Sequence, residues 1–164
     1  MVEGNLGPLE QFASERRQAV EAMEQDAALR EQSLQWMLAA DKYKYTYNFS
    51  WMGRPIIKYP ADMVIQQEWM WQLKPDLIIE TGIARGGSLI FYASILELIA
   101  QCGGPNSAKV LGIDIDKDAL EICQKNIDYF DIENIDLINM DCERILQDDC
   151  TNSLNMKFDT VIMN

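Results

Sequence analysis

The chain has 164 residues, 48% of them hydrophobic and 24% charged, and its 26 acidic and 14 basic side chains give a formal net charge of -12. That length and composition suit a globular fold with a sizeable core rather than disorder, and the acidic balance argues against holding nucleic acid phosphates or anionic lipid by bulk charge. Histidine is absent, which excludes Ser-His-Asp and Cys-His nucleophile pairs, His-ligated zinc and the two-His-one-carboxylate iron site within this chain.

Met1-Val2-Glu3-Gly4 has neither a basic n-region nor an apolar h-region, so no signal peptide is expected. From Pro8 to about Ala40, Leu9, Phe12, Val20, Met23, Ala27, Leu34 and Leu38 recur at spacings that predict one long helix with a solvated Glu/Arg-rich face. The alternating aromatics of Tyr43 to Pro55 favour an extended path, interrupted by Gly53 and Pro55. A helix from Pro60 to Leu73 follows, with proline in its first turn and Lys74-Pro75 closing it.

The pattern then changes to strands alternating with helices. Leu77 to Glu80 reads as a short buried strand, Ser88 to Gln101 as a buried helix stopped by Gly103-Gly104, and Val110 to Asp114 as a second strand. A helix from Lys117 to about Tyr129 leads to a third strand, Ile135 to Met140. A short helix near Glu143 to Leu146 and a fourth strand, Phe158 to Met163, complete the reading. Such alternation predicts an α/β fold with a parallel sheet built from right-handed crossovers. The most apolar stretch, Leu89 to Ala100, is too short to span a bilayer and contains Glu97. Cys102, Cys123, Cys142 and Cys150 form no C-x-x-C pair and read as buried thiols of a reducing cytoplasm.

The strongest chemical signal is Glu80-Thr-Gly82-Ile-Ala84-Arg-Gly86-Gly87-Ser88, between a strand and a helix. Gly82 and Gly86 allow a tight turn and close backbone approach to a ligand, and the helix N–H groups around Gly87 and Ser88 can face a carboxylate or phosphate. Asp114 and Asp141 end the second and third strands, where carboxylates face the crevice at the carboxyl edge of the sheet. There they suit ribose hydroxyls and an adenine amino group respectively; the plainer reading of Asp114, Asp116 and Asp141 is that they cap helices. The dinucleotide fingerprint G-x-G-x-x-G needs glycine at position 84, where Ala84 stands.

Acid-x-Gly-x-x-x-Gly instead resembles the first motif of class I S-adenosylmethionine methyltransferases. That resemblance implies that Glu80 and the Gly82–Ser88 turn face the methionine end, that Asp114 binds the ribose, and that Ile115 lies against adenine. Asp141 and the Cys142 backbone would then read the adenine edge. Upstream, Tyr45-Thr-Tyr-Asn-Phe-Ser-Trp-Met-Gly-Arg-Pro-Ile-Ile57 and Lys74-Pro-Asp-Leu-Ile-Ile-Glu-Thr-Gly-Ile-Ala-Arg-Gly-Gly-Ser-Leu-Ile90 resemble the cephalosporin hydroxylase family, also called the rhamnosyl O-methyltransferase family. Members methylate hydroxyls of antibiotics or glycolipid sugars, and the family's aromatic segment implies that Tyr47, Trp51 and Arg54 lie near cofactor or acceptor. The alternative for the aromatics is packing of the N-terminal helices onto the sheet. Metal-dependent relatives place an aspartate at the end of strand four, where this chain has Asn164; Mg2+ is therefore expected only in a full-length form.

The resulting expectation is a Rossmann-like class I methyltransferase fold with about four parallel strands. Residues 1–59 would form an N-terminal helical and aromatic segment, and 60–164 the cofactor-binding half of a sheet that continues in a longer fold. The function it implies is S-adenosylmethionine-dependent methylation of a hydroxyl on a small-molecule or glycan acceptor in the cytoplasm, without nucleic acid or a membrane span. The alternatives are a non-catalytic remnant or split subunit that needs a complementing chain or a second copy, since unpaired strand edges seek partners, and a nucleotide-dependent oxidoreductase.

Overall fold

The computed structural model describes residues 7–141 and the backbone of residues 160–163. The chain divides into two compact units, Met1–Tyr45 and Thr46–Asn164. Residues 46–59, grouped above with the N-terminal helices, fall in the same compact unit as the sheet.

The first unit is a pair of helices, α1 (Pro8–Gln25) and α2 (Ala27–Asp41), rather than one. The break is Asp26, whose backbone is extended and whose carboxylate accepts from the Leu29 N–H at 2.9 Å, capping α2. Aspartate favours a cap over a helix interior because its short side chain competes for nearby backbone N–H groups. Arg30 Nη2 donates to the Glu24 carbonyl at 2.8 Å across the break. Neither helix buries a residue, and Leu9, Phe12, Val20, Met23, Leu34 and Leu38 all stay exposed.

The second unit opens with a hairpin where an extended path was expected. A 3-10 turn over Tyr45–Asn48 leads into β1 (Phe49–Trp51), which pairs antiparallel with β2 (Arg54–Ile56). The two-residue connection, Met52 and Gly53, has both φ angles positive, at 49 and 77°. A turn of that hand matches the twist of two short antiparallel strands. α3 (Pro60–Leu73) starts on proline and ends where Lys74, in the left-handed region, donates its N–H to the Met70 carbonyl at 2.8 Å.

The main sheet comprises β3 (Leu77–Thr81), β4 (Lys109–Asp114), β5 (Ile135–Asn139) and β6 (Thr160–Met163), all parallel, in the order β5-β4-β3-β6. α4 (Gly87–Gln101) and α5 (Lys117–Phe130) connect β3 to β4 and β4 to β5. Alternation along the strands sorts the side chains into two layers. Ile78 and Val110 join α4 and α5 in one core with Leu89, Phe91, Tyr92 and Ile127, while Leu77, Ile79, Leu111 and Ile113 form a second cluster. Each fully buried aliphatic or aromatic side chain contributes about 1.5–3 kcal/mol through area removed from water. That burial explains why the β3 and α4 sequences are almost continuously apolar.

Two cysteines fall among the described residues. Cys123 is buried as expected, whereas Cys102 is exposed, because it lies beyond the last turn of α4 at the Gly103-Gly104 stop. The helix expected near Glu143 to Leu146, together with Cys142, Cys150, Phe158 and Asn164, lies outside the described residues.

Candidate functional site

The chain leaves β3 toward β4 and β5 on one side and returns to pair β6 on the other. Where strand order reverses in this way, the loops diverge and open a crevice at the carboxyl ends of the strands. The segment 82–86 fills the end of β3 at that point, and its shape is fixed largely from outside itself. Gly82 (φ 72°) donates its N–H to the Ile113 carbonyl at 2.9 Å, and the Ile83 N–H donates to Asp114 Oδ2 at 3.0 Å. Asn126 Nδ2 of α5 donates to the Arg85 carbonyl at 3.2 Å. Ala84 adopts the left-handed region at φ 47°, a conformation that is strained for any residue with a Cβ.

Gly86 serves two needs. It is the N-cap of α4 at φ 74° and supplies no side chain to cap the helix, and a Cβ there would overlap Cys123. The next residue, Gly87, lies directly against the hairpin: a Cβ would overlap the Pro55 carbonyl oxygen and stand 2.7 Å from its carbon. β2 therefore forms a wall over the start of α4. Between this wall and the loop lies a cavity of about 170 Å3, lined by Pro55, Ile56 and Ile57 on one side and by Gly82, Ala84 and Ser88 on the other. A larger hollow of about 580 Å3 opens at the amino edge of the sheet, near Lys109 and Asn134. The left-handed turn into the start of α4 and the Asp114 carboxylate both lie at the opposite, carboxyl edge, so the smaller cavity is the better candidate.

Beneath the loop, Glu80 is fully buried. Lys58 Nζ lies 3.3 Å from Glu80 Oε1, and Ser88 Oγ donates to Oε2 at 2.5 Å. Lys58 is itself buried, and it sits two residues past β2. The surrounding groups register the carboxylate. The Cys123 thiol is pushed up to about 12, by burial first and then by the Glu80 charge. Burial and then the same charge raise the Tyr92 phenol, whose hydroxyl donates to Gln66 Oε1 at 3.2 Å.

Asp114 is bidentate toward the backbone, accepting from Ile83 N–H on Oδ2 and from Asp116 N–H at 2.9 Å on Oδ1. Each oxygen keeps a second lone pair for a ligand hydroxyl. Ile115, next along the crevice, is 71% exposed. Asn139 Nδ2 donates to the Asp114 and Ile115 carbonyls, both at 3.0 Å, and so fixes the path of this segment. Asp116 does what the plainer reading expects: it caps α5 by accepting from the Asp118 N–H at 2.9 Å. β5 ends at Asn139, so Asp141 lies two residues beyond it and is exposed.

The aromatic segment separates into distinct environments. Trp51 packs edge-on against Phe91 at 5.0 Å and donates its indole N–H to Ser94 Oγ at 3.1 Å, so it anchors the hairpin on α4. The Arg54 guanidinium lies over Tyr129 and Phe130 at the end of α5, at 4.5 and 5.1 Å. Tyr47 is 59% exposed, in the turn before β1. Lys58, Asn126 and Asn139 are site residues that sequence reasoning missed. A buried acid ending an apolar run calls for a cation, but the sequence does not say which lysine comes back to it. Among the described residues, no three His, Cys, Asp or Glu side chains gather to hold a metal ion, and no helix is long and apolar enough to cross a membrane.

The family model described as Rhamnosyl O-methyltransferase/CmcI matches residues 43–146. A rhamnosyl O-methyltransferase of Mycobacterium leprae (strain TN) is 34% identical over 103 residues, covering 59% of this chain and 43% of that protein. The protein of the same name from Mycobacterium tuberculosis (strain ATCC 25618 / H37Rv) is 34% identical over 90 residues, covering 51% and 35% respectively. The chain thus spans less than half the length of these curated relatives. Among solved structures, CmcI with Mg and SAM aligns at a TM-score of 0.53 and 28% identity, over 71% of this chain and 45% of that one. An O-methyltransferase from Bacillus cereus in complex with SAH aligns at 0.50 and 19%, over 82% and 52%, a likeness of fold alone. The architecture is that of the Rossmann-like class I methyltransferases.

Proposed function

The chain belongs to the rhamnosyl O-methyltransferase/CmcI family, and from that premise we propose that its crevice binds S-adenosylmethionine and that the whole protein methylates a hydroxyl of a sugar-type acceptor. The observation that carries this reading is the loop at the carboxyl end of β3. It is clamped by Asp114, underlain by the buried Glu80 and walled by Pro55 to Ile57. The residues present fit the group. Nothing stands within 4 Å of where a Cβ on Gly82 would be, so a ligand can approach the backbone there. The 170 Å3 cavity suits an amino-acid end, and the exposed Ile115 beside Asp114 suits a nucleoside laid over the strand end.

In this reading Glu80 and Ser88, with the 82–88 turn, hold the amino-acid end, and Asp114 accepts from the ribose. Ile115 meets one face of the base, and Asp141 and Cys142 are proposed for its edge. When bound, S-adenosylmethionine supplies an electrophilic methyl on a sulfonium centre. The chain's own contribution is alignment of donor and acceptor. The acceptor's hydroxyl proton must pass to a base, and none of the described side chains of the crevice stands free to take it. Trp51, in the hairpin, and Tyr47, in the turn that precedes it, are proposed near the acceptor side only through their place in that segment. Mg2+ remains a proposal for a full-length form.

Calorimetric titration of the purified chain with S-adenosylmethionine, beside NADH and an Asp114→Ala control, tests the reading. Micromolar binding that is lost in the control is expected. Tight NADH binding without S-adenosylmethionine binding would overturn it.

A further inference from the structure

The Lys58–Glu80 pair is not explained by packing alone. Both groups are buried, Glu80 completely and Lys58 to within 7% exposure, and they come from different parts of the unit. Lys58 follows the hairpin, whereas Glu80 is on the central strand beneath the loop. A buried carboxylate keeps its charge and orientation only when a cation and hydrogen-bond donors surround it. Here Lys58 Nζ faces Oε1 at 3.3 Å and the Ser88 hydroxyl takes Oε2. Lys58 also lies 5.8 Å from the centre of the Tyr92 ring, which limits where the ammonium can move. Lys58 follows directly on Pro55 to Ile57, which wall the cavity, and Glu80 ends the apolar run of β3 just before the loop that lines its other side.

We propose that Lys58 is a positioning residue for the donor's amino-acid end: through its contact with Glu80 it fixes the buried carboxylate that underlies the 82–88 turn receiving that end, and it makes the hairpin part of the same site. The proposal rests on the reading of the crevice as an S-adenosylmethionine site. It assigns Lys58 an effect on one portion of the ligand only. The nucleoside portion is assigned to Asp114 and Ile115, at the end of β4.

The test compares two ligands on the 164-residue chain by calorimetry. One is S-adenosylhomocysteine, and the other is 5′-methylthioadenosine, which keeps the nucleoside and lacks the amino-acid end. Lys58→Met is expected to weaken S-adenosylhomocysteine by about tenfold or more, the loss of one charge-supported contact, and to leave methylthioadenosine within about twofold, since that ligand lacks the contact. Circular dichroism establishes that the variant is folded at the assay temperature. Equal loss of both ligands by the folded variant, or no loss of either, overturns the proposal. The neutral pair Lys58→Met with Glu80→Gln leaves no lone charge buried, so it tests the idea even where the single variant fails to fold. If that pair binds S-adenosylhomocysteine as tightly as the parent, the proposal is overturned. A parent chain that binds neither ligand overturns the cofactor reading itself, and the proposal with it.

Discussion

Replacing Gly87 with alanine sets two physical effects against each other. Gly87 is the first residue of α4 and has no positive φ, so helix propensity alone predicts a gain of about 1 kcal/mol from alanine. Against this, the new methyl would overlap the Pro55 carbonyl oxygen and stand 2.7 Å from Pro55 C and 3.2 Å from the Arg54 carbonyl. All three atoms are backbone, so no flexible side chain can swing aside; β2 must retreat by roughly 1.3 Å to restore ordinary contact with the oxygen. Overpacking of this kind costs about 1–3 kcal/mol; an overlap with rigid backbone belongs at the upper end, and against the gain of about 1 kcal/mol the net expectation is a loss of about 2 kcal/mol. For a unit of this size, that lowers Tm by about 4–8 °C. Circular dichroism at 222 nm reads the Tm, and calorimetry with S-adenosylhomocysteine reads the displaced wall as weaker binding. Gly82→Ala is the control, since its Cβ would meet nothing within 4 Å and only its φ of 72° is strained. An unchanged or raised Tm for Gly87→Ala would mean that β2 does not lie on the start of α4, and the description of the cavity would fall with it.

Ala84→Gly should raise stability by about 0.5–1 kcal/mol, because it relieves a left-handed backbone at φ 47°; a denaturant melt with unchanged slope checks it. Lys58→Met should cost about 3–5 kcal/mol by leaving the buried Glu80 without its cation, and Lys58→Met with Glu80→Gln markedly less. A double-mutant cycle in urea gives the coupling, and additive losses would contradict it. Alkaline pH should also destabilise the fold through Cys123. Its thiol is raised from 9.0 to about 12 in the folded state, so the native chain holds a proton that the unfolded chain gives up. The stabilisation is complete below pH 9 and is lost as pH rises from there toward 12. Stability followed across that window, together with mass-spectrometric alkylation at pH 8.5, should show Cys102 reacting while Cys123 does not.

Elements whose signals are local were legible in the sequence. α3 has the expected bounds, Pro60–Leu73, because proline at the start and Lys74-Pro75 at the end act within one turn. β3, β4 and α5 differ from expectation by one residue at an end. The long N-terminal helix broke at Asp26 because a side-chain cap competed successfully with an apolar period that runs straight through it. The hairpin was hidden because its turn, Met52-Gly53, places a non-glycine residue at positive φ, where asparagine or aspartate would have announced it. Within the site, the glycines and Asp114 could be read from their spacing along one segment. Lys58, Asn126 and Asn139 could not, since each acts on a residue distant in sequence. The seat of the Arg54 guanidinium over the rings of Tyr129 and Phe130 is likewise a contact with residues distant in sequence, which its type alone does not specify.

The loop 82–86 has a bearing on how such a site can be engineered. Its turn is secured by a carbonyl and a carboxylate at the end of β4, by Asn126 and Cys123 from α5, and the helix start that follows it is pressed by Pro55 from the hairpin. Its conformation is therefore written mostly in residues that lie elsewhere in the chain. Grafting the stretch from Glu80 to Ser88 into another scaffold would transfer the letters without their mould. A library confined to those nine positions would sample substitutions against walls it leaves fixed. Productive variation has to move the loop and its four supports together, which makes the unit of design the crevice rather than the motif.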